Sequence, residues 1–217
     1  MNRKGKVLVI FGLLLMAAAL FLTVKNMREE AAASEASNEA LDAILPEVFP
    51  DQDANTVFPE LPIKREQHTV RPAEGVYGPE AGDMPVISVN GRDYVALLSI
   101  PAISLELPVL NEWSYSDLKY APCRFSGSAY TSDLVICGHN YAGHFRNLRE
   151  LSPGDEVILV DMAGNAFYYS VMDMEILRPT AVEDMTTGDW DLTLFTCTVG
   201  ARTRLALRCE LQPDPQS

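Results

Sequence analysis

The chain has 217 residues, 47% of them hydrophobic, and a formal net charge of −13. That length holds one domain of ordinary size together with an anchor and a linker. So acidic a balance argues against a nucleic-acid binder, which needs a basic face for the phosphate backbone. Four cysteines are present, Cys123, Cys137, Cys197 and Cys209, and none form a C-x-x-C pair. A zinc ribbon or a thioredoxin-like redox motif is therefore unsupported, and no metal ligand set is expected. An even count on an exported chain permits disulfides, but the spacing resembles no small disulfide framework.

Residues 7–24 (VLVIFGLLLMAAALFLTV) are an uncharged apolar run between Lys6 and Lys25. As a helix the run rises about 27 Å, close to the hydrocarbon thickness of a bilayer. Arg3, Lys4 and Lys6 cluster ahead of it. The N-terminus is therefore expected to stay in the cytoplasm and the bulk of the chain to lie outside, as a single-pass protein of the cell membrane. The competing reading is a cleaved signal peptide ending near Ala31-Ala32-Ala33. The apolar run is longer than the usual core of such peptides, and the alanines lie well past its end, which favours an uncleaved anchor over residues 1–27.

Residues 28–47 are rich in Ala and Glu and are expected to extend the helix, ending before Pro46. Residues 46–90 carry many prolines and little periodicity, so the whole of 28–90 reads as a helix, linker and N-terminal appendage. From residue 91 to 213 the pattern becomes that of a folded domain. Strands are expected over Tyr94–Ile100, Glu106–Leu110, Leu134–His139, Glu156–Asp161, Phe167–Leu177, Leu192–Thr198 and Arg204–Leu211. Ala163-Gly164-Asn165 reads as a hairpin loop, and Phe145–Leu151 as one or two helical turns. Many short strands with little helix predict a mainly β domain, closed or nearly closed into an antiparallel-rich barrel.

Three histidines occur: His68 in the linker, His139 at the end of an apolar strand, and His144 in the loop after it. In isolation His139 reads equally as a hydrogen-bonded rim residue or as a functional one. Cys197 ends the run Leu194-Phe195-Thr196-Cys197; a buried small residue is its bland reading, a nucleophile beside a proton acceptor its functional one. Arg204 opens the last strand seven residues later, so a tight connection would bring it back beside Cys197. Arg202 competes with it for that cationic place, as His144 does with His139. A thiol, an imidazole and a guanidinium at strand ends suit acyl transfer, with sulfur attacking a carbonyl, imidazole moving the proton and guanidinium steadying the oxyanion.

Thr193-Leu194-Phe195-Thr196-Cys197 resembles the T-L-x-T-C element of the sortase family, and Thr203–Arg208 resembles the arginine and apolar strand that follow it there. Gly138-His139-Asn140 with His144-Phe145-Arg146-Asn147-Leu148 is similar to the sortase histidine motif and its short helix. Leu98-Ser99-Ile100-Pro101 and Leu107-Pro108-Val109-Leu110 are similar to the opening strands, and the matches keep the family's order over residues 94–211. The resemblance implies an eight-stranded sortase-type β-barrel and a cysteine transpeptidase at a Gram-positive-type cell surface. It implies cleavage of an L-P-x-T-G-like sorting signal on secreted proteins through a thioacyl intermediate on Cys197, with transfer to an amine of a peptidoglycan precursor or a pilin lysine. His139, Cys197 and Arg204 carry over as catalytic residues and Thr196 as a substrate-binding one. No redox cofactor is implied. Some relatives bind calcium through acidic residues, and no such site stands out here. The subclass stays open, with the G-H-N-Y-A-G-H-F-R-N-L stretch closer to housekeeping or class D sortases than to class B. The rival functions are a catalytically silent, membrane-tethered barrel that binds a cell-wall protein or peptide, a papain-like hydrolase, which the His-before-Cys order disfavours, and a disulfide-stabilised binding domain.

Overall fold

The computed structural model describes residues 3–50, 83–198 and 200–213. Most of the expected linker, with His68, lies outside the described residues. Nine strands form in chain order: β1 (Ile87–Val89), β2 (Arg92–Ile100), β3 (Leu105–Leu110), β4 (Cys123–Ser126), β5 (Leu134–Gly138), β6 (Glu156–Asp161), β7 (Ala166–Leu177), β8 (Leu192–Cys197) and β9 (Arg204–Leu211). They hydrogen-bond in the order β1-β2-β3-β4-β5-β8-β9-β7-β6, and a further β2–β6 pairing closes β2 through β9 into an eight-stranded barrel. β1 is a short hairpin arm on β2, within the stretch expected to be linker. β3–β4 and β5–β8 pair parallel, and the other neighbours pair antiparallel.

Closing a sheet leaves one face of each strand for the inside. Leu134 and Ile136 of β5, Leu192 and Leu194 of β8, and Leu205, Leu207 and Cys209 of β9 fill that interior together with Val95, Leu98, Leu159 and Tyr169. The outer face is apolar as well along part of its course: Tyr94, Leu97, Val135, Cys137, Phe195 and Ala206 belong to a second buried cluster outside the barrel. Something must cover that layer, and two helices do so.

The first is α1 (Arg3–Val48), 46 residues long. Its early apolar part is exposed (Phe11 61%, Phe21 68%), and among the described residues it is the helix long and apolar enough to cross a membrane. Further along, Ala33, Ser37, Ala40, Leu41 and Ile44 are buried. Their spacing draws one stripe down the helix, and the stripe packs against β1 and β3. The helix runs on through Pro46 to Val48 rather than ending before the proline. So close to the helix end, a missing N–H costs one backbone hydrogen bond and little else. The second cover is α2 (Val182–Thr186), in the connection between β7 and β8. Arg208, only 3% exposed, reaches out from β9 and fastens it. Its guanidinium donates to the Met185 carbonyl at 3.3 Å, to Thr193 Oγ1 at 3.1 Å and to Glu175 Oε2 at 2.8 Å.

Candidate active site

The barrel brings the ends of three strands together, one of them distant in sequence from the other two. β8 and β9 pair so that Cys197 stands directly opposite Arg204. β5 lies on the other side of β8, in parallel, with Gly138 level with Thr196. His139 follows that pair just past the end of β5, as Cys197 follows it at the end of β8. Side chains two apart along a strand share a face. Val135 and Cys137, then Thr193, Phe195 and Cys197, then Arg204, Ala206 and Arg208, therefore all face outward. Cys197 and Arg204 form the last row of this outer face, and His139 stands at the adjoining end of β5, on strands spaced about 4.8 Å apart.

Local sequence explains how each group is held. Gly138 precedes His139 because the Phe145 ring lies on it: a Cβ there would stand 2.5 Å from Phe145 Cδ2. Phe145 is fully buried, and its N–H donates back to the His139 carbonyl at 3.1 Å. The FRNLRE segment, Phe145–Glu150, winds as a 3-10 helix where one or two helical turns are expected. Tyr141 stacks on the His139 ring at 4.5 Å and 23°. Burial lowers the His139 pKa, nearby Lys119 lowers it further and Glu29 opposes them. The shift favours the neutral ring, the form that can accept a proton.

The β8–β9 connection is compact. Thr198 and Thr203 clasp it through an N–H···O=C bond of 3.0 Å and a hydroxyl pair at 2.7 Å. Gly200 and Ala201 take the left-handed conformation that the tight reversal needs (φ 80° and 54°). Arg204 is half-buried, and its Nη1 donates to the Thr203 carbonyl at 3.3 Å. Among the described residues it forms no ion pair, so its charge stays available to the row. Arg202 is exposed in the turn, outside the strand register. Cys197 is half-buried, whereas Cys123, Cys137 and Cys209 are buried, and all four thiols are free. Burial drives the Cys209 thiol up to about 12, and hydrogen bonding with Cys137 together with burial pushes Cys123 up as well.

Thr196 points the other way, into the barrel. Its buried hydroxyl donates to the Gly138 carbonyl at 2.8 Å, tying the strand of Cys197 to the strand of His139. His144 lies away from the row. It is fully buried, with Nε2 3.3 Å from Ser37 Oγ of α1. Its pKa falls to about 4, chiefly through burial and then through His139, against the backbone of Ala33. Beside the row an aromatic run leads along the outer face: Phe195 meets Phe125 edge-on at 5.3 Å, and Phe125 meets Trp113 at 5.4 Å. The run ends at an open cleft of about 600 Å³ lined by Asn111, Trp113, Arg124, Phe125 and Ser128 among others. Neither this run nor Tyr141 stands out in the sequence, although the Phe195 position inside the cysteine motif marks where the run begins. Among the described residues no cluster of three or more His, Cys, Asp or Glu side chains is arranged to hold a metal ion.

The family model for the sortase domain matches residues 98–212, more than half of the chain. Sortase A of Bacillus anthracis is 30% identical over 133 residues, which cover 55% of this chain and 59% of that protein. The match thus spans less than two thirds of that relative's length. A lid mutant of sortase A from Corynebacterium diphtheriae superposes with a TM-score of 0.51 at 23% identity, covering 58% of this chain and 74% of the other. A sortase D5 transpeptidase from Clostridium perfringens gives 0.50 at 23% identity, covering 57% and 81%. Sortase C1 of Streptococcus agalactiae, in complex with MTSET, gives 0.51 at 21% identity, covering 57% and 72%. Identities this low speak for the fold, and scores this even across A, C and D types leave the subclass open.

Proposed function

Because the chain belongs to the sortase family, we propose that it is a membrane-anchored cysteine transpeptidase working outside the cytoplasm of a Gram-positive-type cell. The observation that carries this reading is the strand register, in which Cys197 stands opposite Arg204 and the residue before it, Thr196, is level with Gly138, the residue before His139. The Cys197 sulfur attacks the carbonyl of an L-P-x-T-G-like sorting signal on a secreted protein, and neutral His139 takes the thiol proton. Arg204 stabilises the oxyanion of the tetrahedral intermediate. Collapse breaks the C–N bond, His139 gives its proton to the leaving amine, and a thioester on Cys197 remains. An amine from a peptidoglycan precursor or a pilin lysine then attacks the thioester and frees the sulfur. Thr196 serves substrate binding by fixing the floor between β5 and β8 on which the peptide lies. The aromatic run of Phe195, Phe125 and Trp113 gives the apolar residues of the signal a wall to pack against. The sequence of steps calls for no redox cofactor and no metal.

The test is incubation of the full chain in detergent with an L-P-x-T-G-type peptide, with and without an amine, followed by mass spectrometry. Cleaved and amine-capped products that vanish in Cys197→Ala support the enzyme. Binding with no turnover across a peptide library would instead describe a silent peptide-binding barrel.

A further inference from the structure

We propose that the segment of α1 just past its apolar stretch, residues 29–37, is a positioning element of the catalytic centre, holding the loop that carries His139. The inference deepens the transpeptidase reading and rests on it for its kinetic arm.

The contact is close and chemically specific. Ser37 is 1% exposed, and its hydroxyl donates to the Tyr120 carbonyl at 2.6 Å. A hydroxyl has one proton to give, so at the 3.3 Å contact it is His144 Nε2 that donates to Ser37 Oγ. Glu30 pairs with Arg146, whose Nη2 also donates at 3.3 Å to the carbonyl of Asn140, the residue after His139. Gly143 sits so near the helix that a Cβ there would lie 2.2 Å from Ser34 Oγ and 3.3 Å from Ser34 Cβ. Three points of α1 thus touch three points of the 140–146 loop.

From there the path to His139 is short. The Tyr141 ring lies 5.7 Å from the His144 ring and stacks on His139 at 4.5 Å. The N–H groups of His144 and Arg146 both donate to the Tyr141 carbonyl, at 3.1 and 3.2 Å. Without α1 the loop would keep its Phe145 anchor but lose the side that fixes Tyr141 and Asn140. The placement has a second consequence. At 1.5 Å per residue, Glu30 and Ser37 lie about 9 and 20 Å beyond Val24, where the apolar stretch ends. The helix that anchors the chain thereby also sets the height of the catalytic row above the membrane.

The test uses the full chain in detergent and one steric pair. Gly143→Ala should wedge the loop off the helix, and Ser34→Gly should make room again. Gly143→Ala is expected to lower kcat for peptide cleavage at least about tenfold with KM little changed. Amide exchange at Phe145 and Arg146 should speed up by a similar factor, and the Gly143→Ala/Ser34→Gly double variant should restore both. Wild-type rates of turnover and exchange in Gly143→Ala would overturn the proposal, as would a loss that Ser34→Gly does not restore, since the fault would then lie within the loop. If the wild type cleaves no peptide, the transpeptidase reading fails, while the exchange measurement still decides whether α1 holds the loop.

Discussion

The ends of three adjacent strands and the stretch just inside them have opposite fates. Cys197 and Arg204 form the last row, with His139 at the adjoining end of β5; Cys137, Phe195 and Ala206 form the next, and Val135, Thr193 and Arg208 the one beyond. Chemistry-bearing residue types occur in both regions, a cysteine and an arginine in each. Further along the strands they are covered: Cys137 is 4% exposed, Phe195 lies under Phe125, and Arg208 is enclosed beneath α2 with every bond satisfied locally. At the strand ends the cover stops, and Cys197 and Arg204 are only half-buried. Exposure here is a matter of where a strand ends, not of which residue it carries.

The sharpest break of the comparison is to exchange the fates of its two thiols. Cys197→Ala should abolish peptide turnover in the mass-spectrometric assay, whereas Cys137→Ala should leave it within about threefold of wild type. Next in size, His139→Ala and Arg204→Ala should each lower kcat/KM about a hundredfold or more. Arg202→Ala should leave it nearly unchanged, and the opposite order would hand the cationic role to the exposed arginine.

The inner arginine should fail in stability rather than chemistry. Arg208→Ala strands Glu175 and two carbonyls under α2 and should cost about 2 kcal/mol in denaturant unfolding, less than a fully buried pair because Glu175 is 38% exposed at its side chain. A pH-dependent effect of similar size is expected at His144, whose pKa lies at about 4 in the fold against an ordinary 6.5. Between those values the unfolded chain binds a proton that the folded chain refuses. Stability from the neutral ring is therefore fully present above about pH 6.5 and drains away as pH falls toward 4, by at most about 3 kcal/mol. The melting temperature from pH 7.5 to 4.5 should accordingly drop further in the wild type than in His144→Asn. Smallest of all, Trp113→Ala should raise KM for the peptide severalfold with kcat held, by removing the far end of the aromatic wall.

Much of the barrel was legible in advance. Glu156–Asp161 and Arg204–Leu211 form where alternation and turn residues place them, and five other strands agree to within one or two residues. β4 was not legible, because Cys123–Ser126 is four residues long, mixed in polarity and bulged against β5. β1 was hidden for a related reason: three residues carry no period, and only its partner β2 makes it a strand. α2 is a five-residue turn that owes its place to Arg208. The expected stop before Pro46 gave way because the burial of Leu41 and Ile44 against the barrel holds the last turn together.

The sequence by itself determined that an apolar N-terminal helix precedes a β-rich domain, and it picked out His139, Cys197 and Arg204, since hydropathy, strand period and short motifs are local properties. Only the tertiary structure decided that these three come to adjoining strand ends, that Thr196 faces inward, that His144 belongs to packing, and that α1 lies against the loop after His139. Apart from the short Cys197–Arg204 turn, those outcomes depend on strand register, barrel closure and helix docking, which join residues more than fifty positions apart and leave no trace in any local pattern.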